Sequence, residues 1–172
     1  YMIDIANEQR NFDGSIVLIK PVEFGSLENF HTQDCQYTDS LRGRVDGEGK
    51  ILNRVITSVS DAVDAYTEYE KYMGLAEIDT LRFVVSNTTE AGIVFDDTDK
   101  FELNPPKTFP GKLSKFLYHR FETCKGDKDN GLVMLPVELI DDNGIMLHKC
   151  VLQLIDLWEL GEEFKNSTKS FS

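Results

Sequence analysis

The chain has 172 residues, 41% of them hydrophobic, enough to fill one real core and sized for one domain, itself possible as a piece of a larger protein. A formal net charge of -12 argues against nucleic acid or an anionic membrane as partner, since both require a surplus of Lys and Arg gathered in a patch. Cys35, Cys124 and Cys150 are far apart and odd in number, which fits a reducing, cytoplasmic setting better than a disulfide scaffold. His31, His119 and His148 have no metal-binding spacing, so no metal is expected, and no apolar run is long enough to span a bilayer.

The chain opens on Tyr1-Met2-Ile3-Asp4-Ile5-Ala6-Asn7, whose apolar spacing predicts a helix with no capping residue ahead of it. Asn11 to Gly14 punctuates, and Ser15 to Ile19 is a continuous apolar run, the pattern of a strand covered on both faces. Helix, turn and buried strand form the second half of a βαβ unit. The glycine-rich phosphate loop of the first half is absent, because no G-x-G-x-x-G occurs. Lys20 then stands where a dinucleotide-binding fold often places an acid for the adenosine ribose. Its charge suits a 2′-phosphate, Glu23 is near enough to reach a ribose, and a plain solvated strand-end cation is the other reading.

Residues 36 to 58 predict a β-hairpin around Asp46-Gly47-Glu48-Gly49, an insertion into the regular alternation. Asp61 to Met73 has a helical pattern with Ser60 as its N-cap. Arg82 to Ser86 is a β-branched run that breaks into Asn87, Thr88, Thr89 and Glu90, putting donors and acceptors at the carboxyl end of a buried strand, where open parallel sheets bind ligands. Plain turn chemistry is the alternative there. Asp96 to Pro110 is polar and proline-marked, a surface excursion that can act as a lid. Helical spacing follows from Leu113 to Phe121, then a buried strand over Leu132 to Val137 with Pro136 near its end, and a closing helix from about Met146 to Leu160. Gly161 and the tail Asn166 to Ser172 read as fraying.

Four motifs in order, Lys20-Pro21-Val22-Glu23-Phe24-Gly25, Ser86 to Gly92, Phe109-Pro110-Gly111-Lys112-Leu113 and Pro136 to Gly144, resemble the mannitol dehydrogenase family of long-chain polyol dehydrogenases. The resemblance implies an N-terminal Rossmann domain followed by a helical C-terminal domain, with hydride transfer between a nicotinamide cofactor and a sugar acid or polyol. It also implies NAD rather than NADP, against the charge of Lys20. The expected fold class is thus α/β, Rossmann-like, a mostly parallel sheet with helices on both faces and an inserted hairpin. Its first strand and phosphate loop are missing, so the strands at 15–20 and 82–86 should not pair with each other.

The whole of residues 1–172 is expected to be part of the N-terminal domain. Cofactor contacts are assigned to Lys20, Glu23, Asn87, Thr88 and Thr89, and a substrate contact to Glu138. Family members carry Cys-Asp-Asn where this chain has Val137-Glu138-Leu139, so the role of that Asn is not transferred. Asn143-Gly144 is expected to be a structural turn. The family's catalytic Lys-x4-Asn-x2-His finds only Lys125 and Asn130, with Val133 in the histidine position. No catalytic residue is therefore expected here, and the chain should be inactive without its C-terminal domain. A non-catalytic, flavodoxin-like binding or regulatory module is the competing reading.

Overall fold

A computed structural model describes residues 1–89 and 91–168, divided into two compact units, Tyr1–Glu68 and the segment from Tyr69 onward.

In the first unit, helix α1 (Met2–Glu8) leads into strand β1 (Ile16–Lys20), as the apolar spacing predicts. Asp4 ties that helix down. Its buried carboxylate accepts the Thr57 N–H at 2.9 Å and the Arg54 Nε–H at 2.5 Å, and Arg54 reaches Glu8 at 2.8 Å. The Thr57 N–H first, and Arg54 second, hold the Asp4 carboxyl below its ordinary range. A short helix α2 (Glu28–Thr32) follows, which the sequence reading missed. The hairpin is present as β2 (Tyr37–Val45) and β3 (Glu48–Ile56), antiparallel from Tyr37 opposite Ile56 to Val45 opposite Glu48. Its two turn residues, Asp46 and Gly47, both have positive φ, 54° and 82°, the requirement of a type I′ turn.

One element must be corrected. Residues from Asp61 are not a helix: Val59–Asp64 is strand β4, parallel to β1, with Val17 opposite Asp61 and Lys20 opposite Asp64. Ala62 and Val63 are both fully buried, so this strand is covered on both faces and its run of small apolar residues mimics a helical stripe. Val59 and Ala62 pack with Cys35, Ile16, Leu18, Leu27 and Phe30. Asp64 ends the strand by accepting the Tyr66 N–H at 2.9 Å, and helix begins only at α3 (Tyr69–Gly74).

In the second unit, β5 (Phe83–Ser86) pairs in parallel with β6 (Val133–Pro136), Ser86 opposite Pro136. The ladders join β1 to β4 and β5 to β6, leaving β1 and β5 in separate sheets, as expected. Between β5 and β6 lies α4 (Phe109–Thr123), capped by Thr108, whose hydroxyl accepts the Gly111 N–H at 2.9 Å. Helix α5 (Asn143–Leu157) follows β6. Leu113 of α4 and Leu147, Val151 and Ile155 of α5 form the core, with Val84 and Met134 of the two strands packed against it. The alternate residues Phe83, Val85, Val133 and Leu135 are exposed, so this pair is covered on one face and is not buried on both as its apolar runs imply.

Arg120 closes the other side of α4. The residue is 4% exposed, and its guanidinium donates to the carbonyls of Asn130, Ala76, Ile78 and Leu81. The segment after Gly161 is helix α6 (Glu162–Ser167), not frayed coil, because Phe164 is inserted among Tyr118 and Phe121. Residues 169–172 lie outside the described residues. Among the described residues, no helix is long and apolar enough to cross a membrane.

Candidate functional site

At the carboxyl end of the β5–β6 pair, the chain buries a carboxylate. Glu138 is 4% exposed, and its Oε1 accepts both the N–H and the hydroxyl of Thr88, each at 3.1 Å. Its Oε2 is buried and, among the described residues, has no hydrogen-bonding partner; nor has the Oγ of Ser86, the last residue of β5. Burial pushes the Glu138 carboxyl up, but the nearby Ser86 hydroxyl and the Thr88 N–H and hydroxyl outweigh it and hold the group below its ordinary range. Ser86 is thus close enough to favour the charge without the geometry of a hydrogen bond. Among the described residues, the Glu138 oxygen and the Ser86 hydroxyl near that carboxylate are thus the two buried polar atoms here with hydrogen-bonding capacity to offer a ligand or water.

Local chemistry explains how the loop reaches this position. The Val137 N–H donates to Ser86 O at 2.8 Å, prolonging the ladder by one bond. Asn143 then fixes the β6–α5 turn, donating from Nδ2 to the carbonyls of Pro136 at 2.9 Å and Glu138 at 3.0 Å. Asn143-Gly144 is structural, as expected. On the β5 side, Gly92 folds back over Thr88: a Cβ at Gly92 would stand 2.3 Å from Thr88 Oγ1, so a side chain there would displace the threonine.

Of the residues expected around this strand end, Thr88 and Glu138 come together. Asn87 and Thr89 are exposed, Thr89 serving the turn by accepting the Gly92 N–H at 2.7 Å through its carbonyl. Glu90 lies outside the described residues. The signal for Ser86 was its place as the last strand residue before the polar loop. Its burial depends on Glu138, which is distant in sequence.

The segment from Asp96 to Pro110 is anchored, which does not suit a free-swinging lid. Asp99 accepts the N–H groups of Lys107 and Thr108, both at 2.9 Å, and its carbonyl accepts the Trp158 Nε1–H at 3.0 Å. Lys115 donates to the carbonyls of Phe101 and Leu103 at 2.6 and 3.0 Å. The Phe-Pro-Gly-Lys motif is part of this anchor, because a Cβ at Gly111 would meet Asp99 Oδ2 at 2.4 Å.

In the first unit, Lys20 and Glu23 end up with different surroundings. The Lys20 ammonium pairs with Asp64 at 2.8 Å and donates to the carbonyls of Val22 and Glu23 at 2.9 and 3.2 Å, so it is not the solvated cation of the simplest reading. Burial pushes the Asp64 carboxyl up, but Lys20 and the N–H of Tyr66 hold it below its ordinary range. The Glu23 side chain is exposed. Asp64 escaped the sequence reading because its segment was assigned to a helix.

No family model matches the chain. It is 43% identical over 164 residues to the altronate oxidoreductase of Bacillus subtilis (strain 168), covering 95% of this chain and 34% of that protein. It is 45% identical over 159 residues to the altronate oxidoreductase of Bacteroides thetaiotaomicron, covering 92% of this chain and 33% of that protein. The chain therefore spans about a third of the length of the curated relatives it matches. Among solved structures it is similar to D-sorbitol dehydrogenase in substrate-free form, with a TM-score of 0.71 at 21% identity over 98% of this chain and 36% of that one. It is also similar to the mannitol 2-dehydrogenase of Pseudomonas fluorescens in ternary complex with NAD and D-mannitol, with a TM-score of 0.64 at 20% identity over 84% of this chain and 30% of that one. Over nearly all of its own length the chain is thus similar in sequence to a third of the altronate oxidoreductases, and its Rossmann-like fold is similar to that of part of the mannitol and sorbitol dehydrogenases.

Proposed function

We propose that this chain is the nicotinamide-dinucleotide-binding part of an NAD-dependent oxidoreductase that interconverts tagaturonate and altronate, with the catalytic groups on a helical C-terminal domain of the same protein. The observation that carries the reading is identity of 38–45% to proteins named altronate oxidoreductase, running through 92–95% of the chain.

The strand-end chemistry supports the same class. A doubly wound fold takes its ligand at the carboxyl ends of parallel strands, and here that end holds two buried polar atoms that make no full hydrogen bond among the described residues. A hydroxyl or a carboxamide N–H donating to Glu138 Oε2, with Ser86 Oγ beside it, would satisfy them, so the residues fit this type of ligand. When bound, NAD supplies the hydride chemistry. Thr88, held by Glu138 through two bonds, fixes the backbone that carries Asn87 and Thr89 at the ligand's edge. Glu138 meets hydroxyl groups of the sugar acid or of a ribose. It is unsuited to the sugar's carboxylate, because two buried like charges repel strongly. No general base is assigned in this chain: Lys125 and Asn130 lack the following histidine, and Val133 begins a strand.

The test is to give tagaturonate and NADH to the natural full-length product and, separately, to this chain alone. Oxidation of NADH by the full product and none by the chain is the expected result. Turnover by the chain alone, or none by the full product, overturns the assignment.

A further inference from the structure

The surroundings of Lys20 bear on which dinucleotide the fold accepts. An ammonium has three N–H donors. Four oxygens surround this one: Asp64 Oδ2 at 2.8 Å and the carbonyls of Val22, Glu23 and Phe24 at 2.9, 3.2 and 3.4 Å. The Lys20 side chain is 10% exposed and that of Asp64 15%. Every donor of Lys20 is thus committed within the protein, and its charge is matched by a carboxylate. Asp64 is fixed in turn by the parallel register that sets it opposite Lys20 and by the Tyr66 N–H it accepts at 2.9 Å. The loop that Lys20 gathers presents carbonyl oxygens to the ammonium and carries the exposed carboxylate of Glu23. A dianionic 2′-phosphate brought to the carboxyl end of β1 finds acceptors and negative charge there, with no free N–H from Lys20.

We infer that Lys20 and Asp64 are positioning residues that set the loop after β1 for an adenosine ribose with free hydroxyls, so that this Lys–Asp pair discriminates against the 2′-phosphorylated dinucleotide. The inference rests on the dinucleotide-binding reading above. It reverses what the charge of Lys20 implies in isolation: the lysine works inward, as a clamp, and the local field is left neutral to negative.

The experiment is a fluorescence titration of NADH and of NADPH into the natural full-length protein, its Asp64→Asn variant and its Lys20→Met variant, with a melting curve for each. The wild type should bind NADH at least about tenfold more tightly than NADPH, the least that a juxtaposed like charge is expected to impose. Asp64→Asn keeps the side-chain shape but frees the ammonium of its anionic partner, so the ratio should narrow chiefly through tighter NADPH binding. Lys20→Met should weaken both ligands alike as the loop loses its clamp. Equal or tighter binding of NADPH by the wild type, an unchanged ratio in Asp64→Asn, or loss of NADPH binding alone in Lys20→Met would each overturn the inference while leaving the cofactor reading intact. Failure of the folded wild type to bind either nucleotide overturns the cofactor reading, and the inference with it.

Discussion

Replacing Glu138 by Ala removes an acceptor that serves two donors at once. The Thr88 N–H and hydroxyl both lie 3.1 Å from Oε1, at a residue 4% exposed. Hydrogen bonds to a charged partner contribute roughly 1.5–3 kcal/mol each, so the gross loss is about 3–6 kcal/mol. Against this, the variant no longer keeps a buried carboxylate with one oxygen unpartnered, a cost of a few kcal/mol on its own. The net loss should be about 1–3 kcal/mol, which for a chain of this size lowers the melting temperature by about 2–4 °C per kcal/mol. The pH dependence has a definite sign. The Glu138 carboxyl is depressed in the folded state, so its stabilisation is fully present above the unfolded pKa and is lost as pH falls through the folded one. Thermal melts followed by circular dichroism, at neutral pH and below about pH 4, should show a gap between wild type and variant that closes on acidification. Coincident melts at neutral pH, or a gap that widens in acid, would refute the argument.

Gly92→Ala forces a Cβ into the Thr88 side chain and should reproduce much of the Glu138→Ala loss, read in the same melts. Arg120→Met strands four backbone carbonyls within the second unit and should cost about 3–5 kcal/mol by urea denaturation, among the largest losses of any single substitution here. Asn87→Ala, at an exposed position, should leave stability within about 0.5 kcal/mol. If Asn87 contacts the dinucleotide, as we propose, the same change raises the NADH dissociation constant of the full-length protein several-fold, the effect of losing a bond of roughly 0.5–1.5 kcal/mol. Unchanged affinity removes Asn87 from the site.

The legible parts of this fold were those whose cause is local. Ile16 to Ile19 and Val133 to Leu135 are apolar runs too short for helices, Asp46-Gly47 supplies the positive φ of a tight turn, and Pro110 closes a polar segment just ahead of a helical spacing. The failure at Val59 to Asp64 has a specific origin: small residues buried on both strand faces carry no alternation, so Ala62, Ala65, Tyr66 and Tyr69 read as a helical stripe until the β1 ladder is seen. That one misreading also concealed Asp64 and left Lys20 looking like an available cation. In the site, Glu138 and Thr88 were legible one at a time as strand-end polar residues, but their pairing spans 50 positions and depends on the parallel register of β5 and β6. Helix α6 was hidden because a polar composition masked Phe164, the residue it buries.

We propose that this chain holds the dinucleotide of an oxidoreductase that forms altronate. The most direct test is the steady-state oxidation of NADH by the full-length product on addition of tagaturonate, with and without a chelator. Turnover should need both NADH and tagaturonate and be indifferent to the chelator. Absence of turnover would refute the assignment, and turnover restored only by an added divalent metal would refute its metal independence alone.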